Sequence, residues 1–199
     1  MKRGLAIAGF MGSGKTTLAQ HFAAQVDALC LDLDELVEEA AGMSIREIFK
    51  TKGELFFRTA EYKELLTLQS RTEPYVLALG GGTPFVKGVA AILESYVVVW
   101  FRLGWSVLSK RLFAQQVNSG IRPLAVSSVK AEELYKIREG LFHKTYGDWS
   151  VISLNDSKAI LQKTACEPNV IWTLEQDGDV NDLSEQLFPL WRSITNTAA

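Results

Sequence analysis

An apolar run at residues 5–10 ends in a glycine-rich turn with one cation, and a helical pattern opens directly behind it: Gly9-Phe10-Met11-Gly12-Ser13-Gly14-Lys15-Thr16. The stretch fits G-x-x-x-x-G-K-[ST], and it stands after a strand and before a helix, as that motif requires. Glycines let the main chain wrap closely around phosphate oxygens, so that successive N–H groups and the helix N-terminus face negative charge. In such a loop Lys15 reaches the β- and γ-phosphates and the Thr16 hydroxyl ligates Mg²⁺. Gly12, Ser13, Gly14, Lys15 and Thr16 are therefore the expected triphosphate-binding residues. Thr17 is counted with them by position, although its side chain reads as helix packing. The loop names the donor side and leaves the acceptor open.

The rest of the chain alternates in a way that suits this loop. Short apolar runs at 5–10, 28–33, 75–79, 97–101 and 151–154 read as strands, and amphipathic stretches at about 15–25, 35–41, 45–68, 86–93, 105–113 and 131–146 read as helices. Strand followed by helix, repeated, is the order of an α/β domain with a largely parallel sheet. Towards the end, 169–174 is a further strand candidate and 182–188 a short helix that Pro189 should stop or kink. Either 151–154 or 170–174 could supply the fifth central strand, and the first is preferred. The expected architecture is a single P-loop α/β domain over 1–199, with a five-stranded parallel sheet sandwiched by helices.

Composition excludes several alternatives. A formal charge of -2 with a pI near 5.8 does not suit a protein that holds nucleic acid or anionic lipid by bulk electrostatics. The basic start at Lys2 and Arg3 is followed by too short an apolar run for a secretory signal, and no run approaches the length of a membrane span. Cys30 and Cys166 lack metal-ligand spacing and read as reduced thiols with packing roles. A cytoplasmic monomer with neither nucleic-acid nor membrane partners is expected. His21 and His143 are read as ordinary helix residues, and the five tryptophans as core or interface.

On the acceptor side, Asp32 and Asp34 stand two apart at the end of the second strand, so in an extended chain both carboxylates project from one face. The carboxyl ends of parallel strands are where ligands bind in such sheets. One carboxylate near Mg²⁺ and one near an acceptor hydroxyl is what phosphoryl transfer to an alcohol calls for; Asp34 could equally cap a helix starting at Glu35. Arg58 and Glu61 are neighbours on one helix face, for which a surface ion pair is the plain account. Gly80, Gly81 and Gly82 follow the third strand, which makes sense where a ligand must approach the main chain, or as a plain loop.

Taken in order, "GFMGSGKT", "DLD", "FFRTAE", "LGGGT", "IRPL" and "YKIREGLF" resemble the shikimate kinase family over about residues 3 to 155. The resemblance implies transfer of the ATP γ-phosphoryl group to the 3-hydroxyl of shikimate, in chorismate and aromatic amino acid biosynthesis, with Mg²⁺. It implies that Asp34 binds the acceptor hydroxyls and is the candidate base, with Asp32 near Mg²⁺. It further implies that Arg58 and Arg138 grip the acceptor carboxylate, with Glu61 fixing Arg58, and that Gly80, Gly81 and Gly82 contact the substrate through their N–H groups. The resemblance also implies a P-loop kinase of the nucleoside-monophosphate-kinase type, with a helical substrate-binding region at about 33–61 and a lid at about 113–128, in which Arg122 acts on the phosphates; Arg111 is the counterpart of an arginine against adenine. The chain departs from the family pattern in Phe142, where tyrosine is common, and in about twenty extra residues near its end, which could form an edge strand, a self-association surface or a loose tail. Another P-loop small-molecule kinase, for gluconate or a nucleotide, and an ATP-binding regulatory module without catalysis are the alternatives.

Overall fold

A computed structural model describes residues 2–118, 128–146, 150–153, 170–174 and 179–195. Six strands form one sheet: β1 (Gly4–Gly9), β2 (Leu29–Asp32), β3 (Tyr75–Ala78), β4 (Val97–Phe101), β5 (Ser150–Ser153) and β6 (Val170–Leu174). Their order is β2-β3-β1-β4-β6-β5 and every neighbouring pair is parallel. The expected parallel α/β sheet is therefore present, as a five-strand order extended at one edge. The preference for 151–154 as the fifth central strand is overturned: β6 pairs with β4, and β5 lies outside it. Val170 to Leu174 hold more consecutive apolar bulk than "SVIS", and Ile171, Trp172 and Leu174 are buried in the place next to β4.

Nine helices connect these strands among the described residues: α1 (Lys15–Gln25), α2 (Leu33–Ala41), α3 (Ile45–Thr51), α4 (Glu54–Leu68), α5 (Val89–Leu93), α6 (Trp105–Asn118), α7 (Ser128–Tyr146), α8 (Val180–Glu185) and α9 (Phe188–Thr195), with a 3₁₀ turn at Thr83–Phe85. Residue alternation along the strands divides the core. Leu5 and Ile7 of β1 face α1, α6, α8 and α9, whereas Ala6 and Ala8 face α4, α5 and α7. Val37, Ile48 and Phe57 form a separate small core that joins α2, α3 and α4.

Several boundaries differ from expectation. The single helix expected over 45–68 is two, because Gly53 takes φ 81°, a left-handed value that breaks the run. Ser44 starts α3 with a capping box closed by Glu47. Helix α5 begins at Val89, later than expected, after the 3₁₀ turn and a left-handed Gly88. Helix α6 continues to Asn118, so residues 113–118 of the expected lid are helical; 119–127, with Arg122, lie outside the described residues. Pro189 neither stops nor kinks a helix: it occupies the first turn of α9, where no intrahelical N–H is required.

The extra C-terminal length that is described belongs to the core. Phe188 and Trp191 meet Phe22 of α1 edge to face, at ring separations of 5.3 and 6.1 Å. The segment so buttresses the helix that begins at Lys15. Trp100, Trp172 and Trp191 are buried as expected; Trp149, Cys166 and the His143 side chain lie outside the described residues. Cys30 is a free thiol whose pKa burial pushes up to about 11, which fits an inert packing role.

Candidate active site

Register brings the site together. Strands β1 and β3 pair with Ile7 opposite Ala78, so the loop after Gly9 and the turn after Leu79 leave the sheet side by side. On the far side of β3, Asp32 of β2 pairs with Ala78. Three strand ends thus deliver the phosphate loop, the glycine turn and the Asp32–Asp34 corner to one edge, the usual ligand edge of a parallel sheet.

The phosphate loop has the required backbone. Gly12 and Gly14 take φ values of 78° and 93°, the left-handed region that L side chains avoid. At Gly9 a Cβ would lie 2.6 Å from the Phe101 carbonyl. Arg111 Nη1 donates to the Ser13 carbonyl at 2.7 Å, so α6 braces the loop from outside. Thr17 is exposed, and the expectation that it packs within the helix does not hold: α1 buries Leu18, Ala19, Phe22 and Ala23, a face that excludes position 17.

The Asp32–Asp34 corner is tighter than an extended strand. Asp32, not Asp34, is the N-cap: its Oδ1 accepts from the Asp34 N–H at 2.9 Å, and the helix starts at Leu33, two residues earlier than expected. Its other oxygen, Oδ2, accepts from the Thr16 hydroxyl at 2.9 Å. Two hard oxygen donors therefore stand together at the foot of the loop, a set that fits Mg²⁺ shared between a carboxylate, a hydroxyl and substrate phosphates. Among the described residues no group of three or more His, Cys, Asp or Glu side chains is placed to hold a metal, and Mg²⁺ in such sites needs few protein ligands. Asp34 turns instead toward the glycine turn, where a Cβ on Gly80 would lie 2.9 Å from its Oδ1.

The ion pair of Arg58 with Glu61 is buried rather than on the surface. Arg58 Nη1 donates to Glu61 Oε2 at 2.8 Å, and Glu61 is 0% exposed; Arg58 Nη2 donates to Glu54 at 3.0 Å. Burial works against the charge on Arg58, but Glu61 and Glu54 outweigh it and hold the guanidinium above its usual value. For Glu61 burial dominates and pushes the carboxyl above its usual range, while Arg58 and Thr83 pull it back.

Arg138 is the most exceptional charge in the site. It is 6% exposed, stacks over Phe10 at 5.1 Å, and keeps Nη1 buried without a hydrogen-bond partner among the described residues. Burial, and then the neighbouring Arg58 cation, push its pKa down to about 10, so it still carries its proton at neutral pH. A buried cation short of a partner, next to a second arginine, is a site that favours an anion.

The three glycines each give room to one of these groups. A Cβ at Gly80 would lie 2.7 Å from Glu61 Oε1, at Gly81 3.0 Å from Arg138 Nη1, and at Gly82 2.6 Å from Arg58 Nη2. A cavity of about 300 Å³ opens between them, lined by Lys15 and Thr16 on the phosphate side and by Asp34, Arg58, Glu61, Gly80, Gly81, Gly82 and Arg138 on the other, with Ile45, Phe49 and Phe57 as an apolar wall. A larger cavity of about 520 Å³ lies outside the same arginines, against Leu55, Tyr62, Phe85 and Ile137. No residue of the phosphate loop lines it. Sequence reasoning missed Phe10, beneath Arg138, and Thr83, beside Glu61, as parts of the site, although both stand inside motifs that it singled out.

A phosphate loop and a charged acceptor pocket that share one cavity at the carboxyl edge of a parallel sheet define a P-loop small-molecule kinase. The family model described as Shikimate kinase matches residues 11–165. A shikimate kinase from Helicobacter hepaticus is 36% identical over 140 residues, 70% of this chain and 81% of that protein, and one from Geobacillus thermodenitrificans is 30% identical over 167 residues, 83% and 84% of the two chains. In structure the chain resembles shikimate kinase from Acinetobacter baumannii in complex with shikimate, with a TM-score of 0.72 and 25% identity, covering 99% of this chain and 95% of that one. The chain belongs to the shikimate kinase family, and its activity is that of an ATP-dependent kinase acting on shikimate. No helix among the described residues is long and apolar enough to cross a membrane.

Proposed function

We propose that the 300 Å³ cavity is where the shikimate hydroxyl meets the ATP γ-phosphate, and that the chain acts as a single kinase unit, monomeric and cytoplasmic. The observation that carries this reading is that Asp34, Arg58, Arg138 and the three glycines line the same cavity as Lys15 and Thr16.

The triphosphate lies along the N–H groups of Gly12, Ser13, Gly14, Lys15 and Thr16, with Lys15 between the β- and γ-phosphates and Thr17 at the margin. Thr16 and Asp32 would hold Mg²⁺, which would neutralise phosphate charge. Arg111, anchored on the Ser13 carbonyl, borders the adenine side. Arg58 and Arg138 take the acceptor carboxylate, a planar anion that two guanidinium groups match better than lysines would. Gly80, Gly81 and Gly82 let the acceptor ring approach the main chain. Asp34 takes the proton of the attacking hydroxyl as its oxygen bonds to the γ-phosphorus and ADP departs. Arg122 and Lys15 stabilise charge on the transferring group.

The test is ADP release measured with shikimate, quinate, gluconate and nucleoside monophosphates in parallel. Turnover confined to shikimate, or strongest with it, is expected. No turnover with shikimate alongside turnover with gluconate or a nucleotide would overturn the acceptor assignment, and ATP binding without turnover on any acceptor would favour the regulatory alternative.

A further inference from the structure

Glu61 can order Arg58 only while it is a carboxylate, and its burial opposes ionisation. It is 0% exposed, so desolvation favours its neutral form. Its two oxygens have divided roles: Oε2 accepts from Arg58, and Oε1 accepts from the Thr83 hydroxyl. Thr83 is itself 0% exposed, and its main chain closes the glycine turn through its N–H to the Gly80 carbonyl at 3.2 Å. The absent Cβ of Gly80 leaves the opening in which these groups meet, since a carbon there would lie 2.7 Å from both Glu61 Oε1 and Thr83 Oγ1. One residue thus ties the turn facing the acceptor to the buried carboxylate behind the acceptor-binding arginine.

We propose that Thr83 is a positioning residue for the acceptor: its hydroxyl keeps Glu61 ionised and oriented, and through Glu61 it sets the aim of Arg58. The proposal rests on the reading of Arg58 as an acceptor ligand. Thr83 does not touch the reacting atoms, and its effect falls on acceptor binding while phosphoryl transfer is left to Asp34 and Lys15. The charged groups that face Glu61 are Arg58 and Glu54 of its own helix, Asp34 from α2 and Arg138 from α7. Loss of a donor to Glu61 lets it protonate more readily, and Arg58 then loses its buried carboxylate partner.

The experiment compares Thr83→Val, which keeps shape and removes the donor, with Thr83→Ser, which keeps the donor and removes a methyl, and with Thr83→Ala. Steady-state kinetics are run for both substrates at several pH values. The expected result for Thr83→Val is a shikimate KM raised about tenfold, the loss of one hydrogen bond to a charged group, with the KM for ATP and kcat changed less than twofold. The gap from the unaltered protein should widen as pH falls, and Thr83→Ser should restore most of the affinity. Equal impairment of Ser and Val variants would show that volume, not the hydroxyl, matters, and would overturn the proposal. So would an unchanged shikimate KM in Thr83→Val, or, if that variant does not fold, in Thr83→Ala. Failure of the Arg58 reading looks different: Arg58→Lys would then leave the shikimate KM unchanged.

Discussion

Tyr146 Oη donates to the Pro84 carbonyl at 2.6 Å, tying the end of α7 to the turn that carries Gly80, Gly81 and Gly82. Two helical turns earlier on the same face stands Arg138, with Phe142 between them packed on Trp100 at 4.8 Å. The bond thus links the helix that carries Arg138 to the turn that carries Gly81, a connection that local sequence does not reveal.

Tyr146→Phe should cost about 1 kcal/mol of stability, the net worth of one buried hydrogen bond, and raise the shikimate KM severalfold with ATP affinity preserved. Thermal unfolding and steady-state kinetics on the same preparation measure both. A destabilised variant with unaltered shikimate KM would mean that the bond serves the fold alone.

Asp34→Asn keeps the size and most of the polarity of the side chain but cannot accept the hydroxyl proton. Transfer should fall by at least about a hundredfold, the scale of general-base contributions, with nucleotide binding nearly unchanged by titration calorimetry. A loss of ATP affinity like that of Lys15→Ala would contradict this division of labour.

Arg58→Lys should weaken acceptor binding by roughly 1–3 kcal/mol, because an ammonium cannot hold Glu61, Glu54 and a ligand carboxylate in one planar fork. Product formation across a shikimate titration gives the shift, and an unchanged Michaelis constant would count against the carboxylate clamp.

Arg138→Met should trade function for stability. The buried cation lacks a hydrogen-bond partner on Nη1 among the described residues, so a side chain of similar length without charge should raise the unfolding temperature of the ligand-free protein, by the equivalent of about 1 kcal/mol or more. Shikimate should stabilise the unaltered protein against heat and leave the variant unaffected. Differential scanning calorimetry with and without shikimate tests the pair of outcomes together.

Asp32 performs two tasks that separate by substitution. Asp32→Asn retains a side-chain oxygen for the cap, so stability should hold within a few tenths of a kcal/mol, whereas Asp32→Ala should cost about 1 kcal/mol. Both should raise the Mg²⁺ concentration needed for half-maximal activity, because each removes the carboxylate from beside Thr16. Denaturant unfolding and a Mg²⁺ titration of the rate separate the roles.

Local chemistry was enough for the donor half of the site. The phosphate loop is readable because its glycines, lysine and threonine are contiguous and because strand, turn and helix signals surround them within about twenty residues. The acceptor half needed the ordered set of motifs, since Asp34, Arg58, the glycines and Arg138 are individually ordinary residues. What they do in space was partly misread: Asp32 caps where Asp34 was a candidate, since the carboxylate that reaches back over the first turn depends on where the strand ends. The break at Gly53 depends on a φ value that composition does not state.

By itself, the amino-acid order determined the alternation of strands and helices, the parallel sheet and the triphosphate cradle, because each follows from residues close together in the chain. Only the tertiary structure decided that β6 lies inside β5, that Thr83 stands behind Glu61, and that Arg138 is buried beside Gly81. Strand order and the burial of a charge are settled by competition among distant segments for the same core, and that competition is a property of the packed chain as a whole.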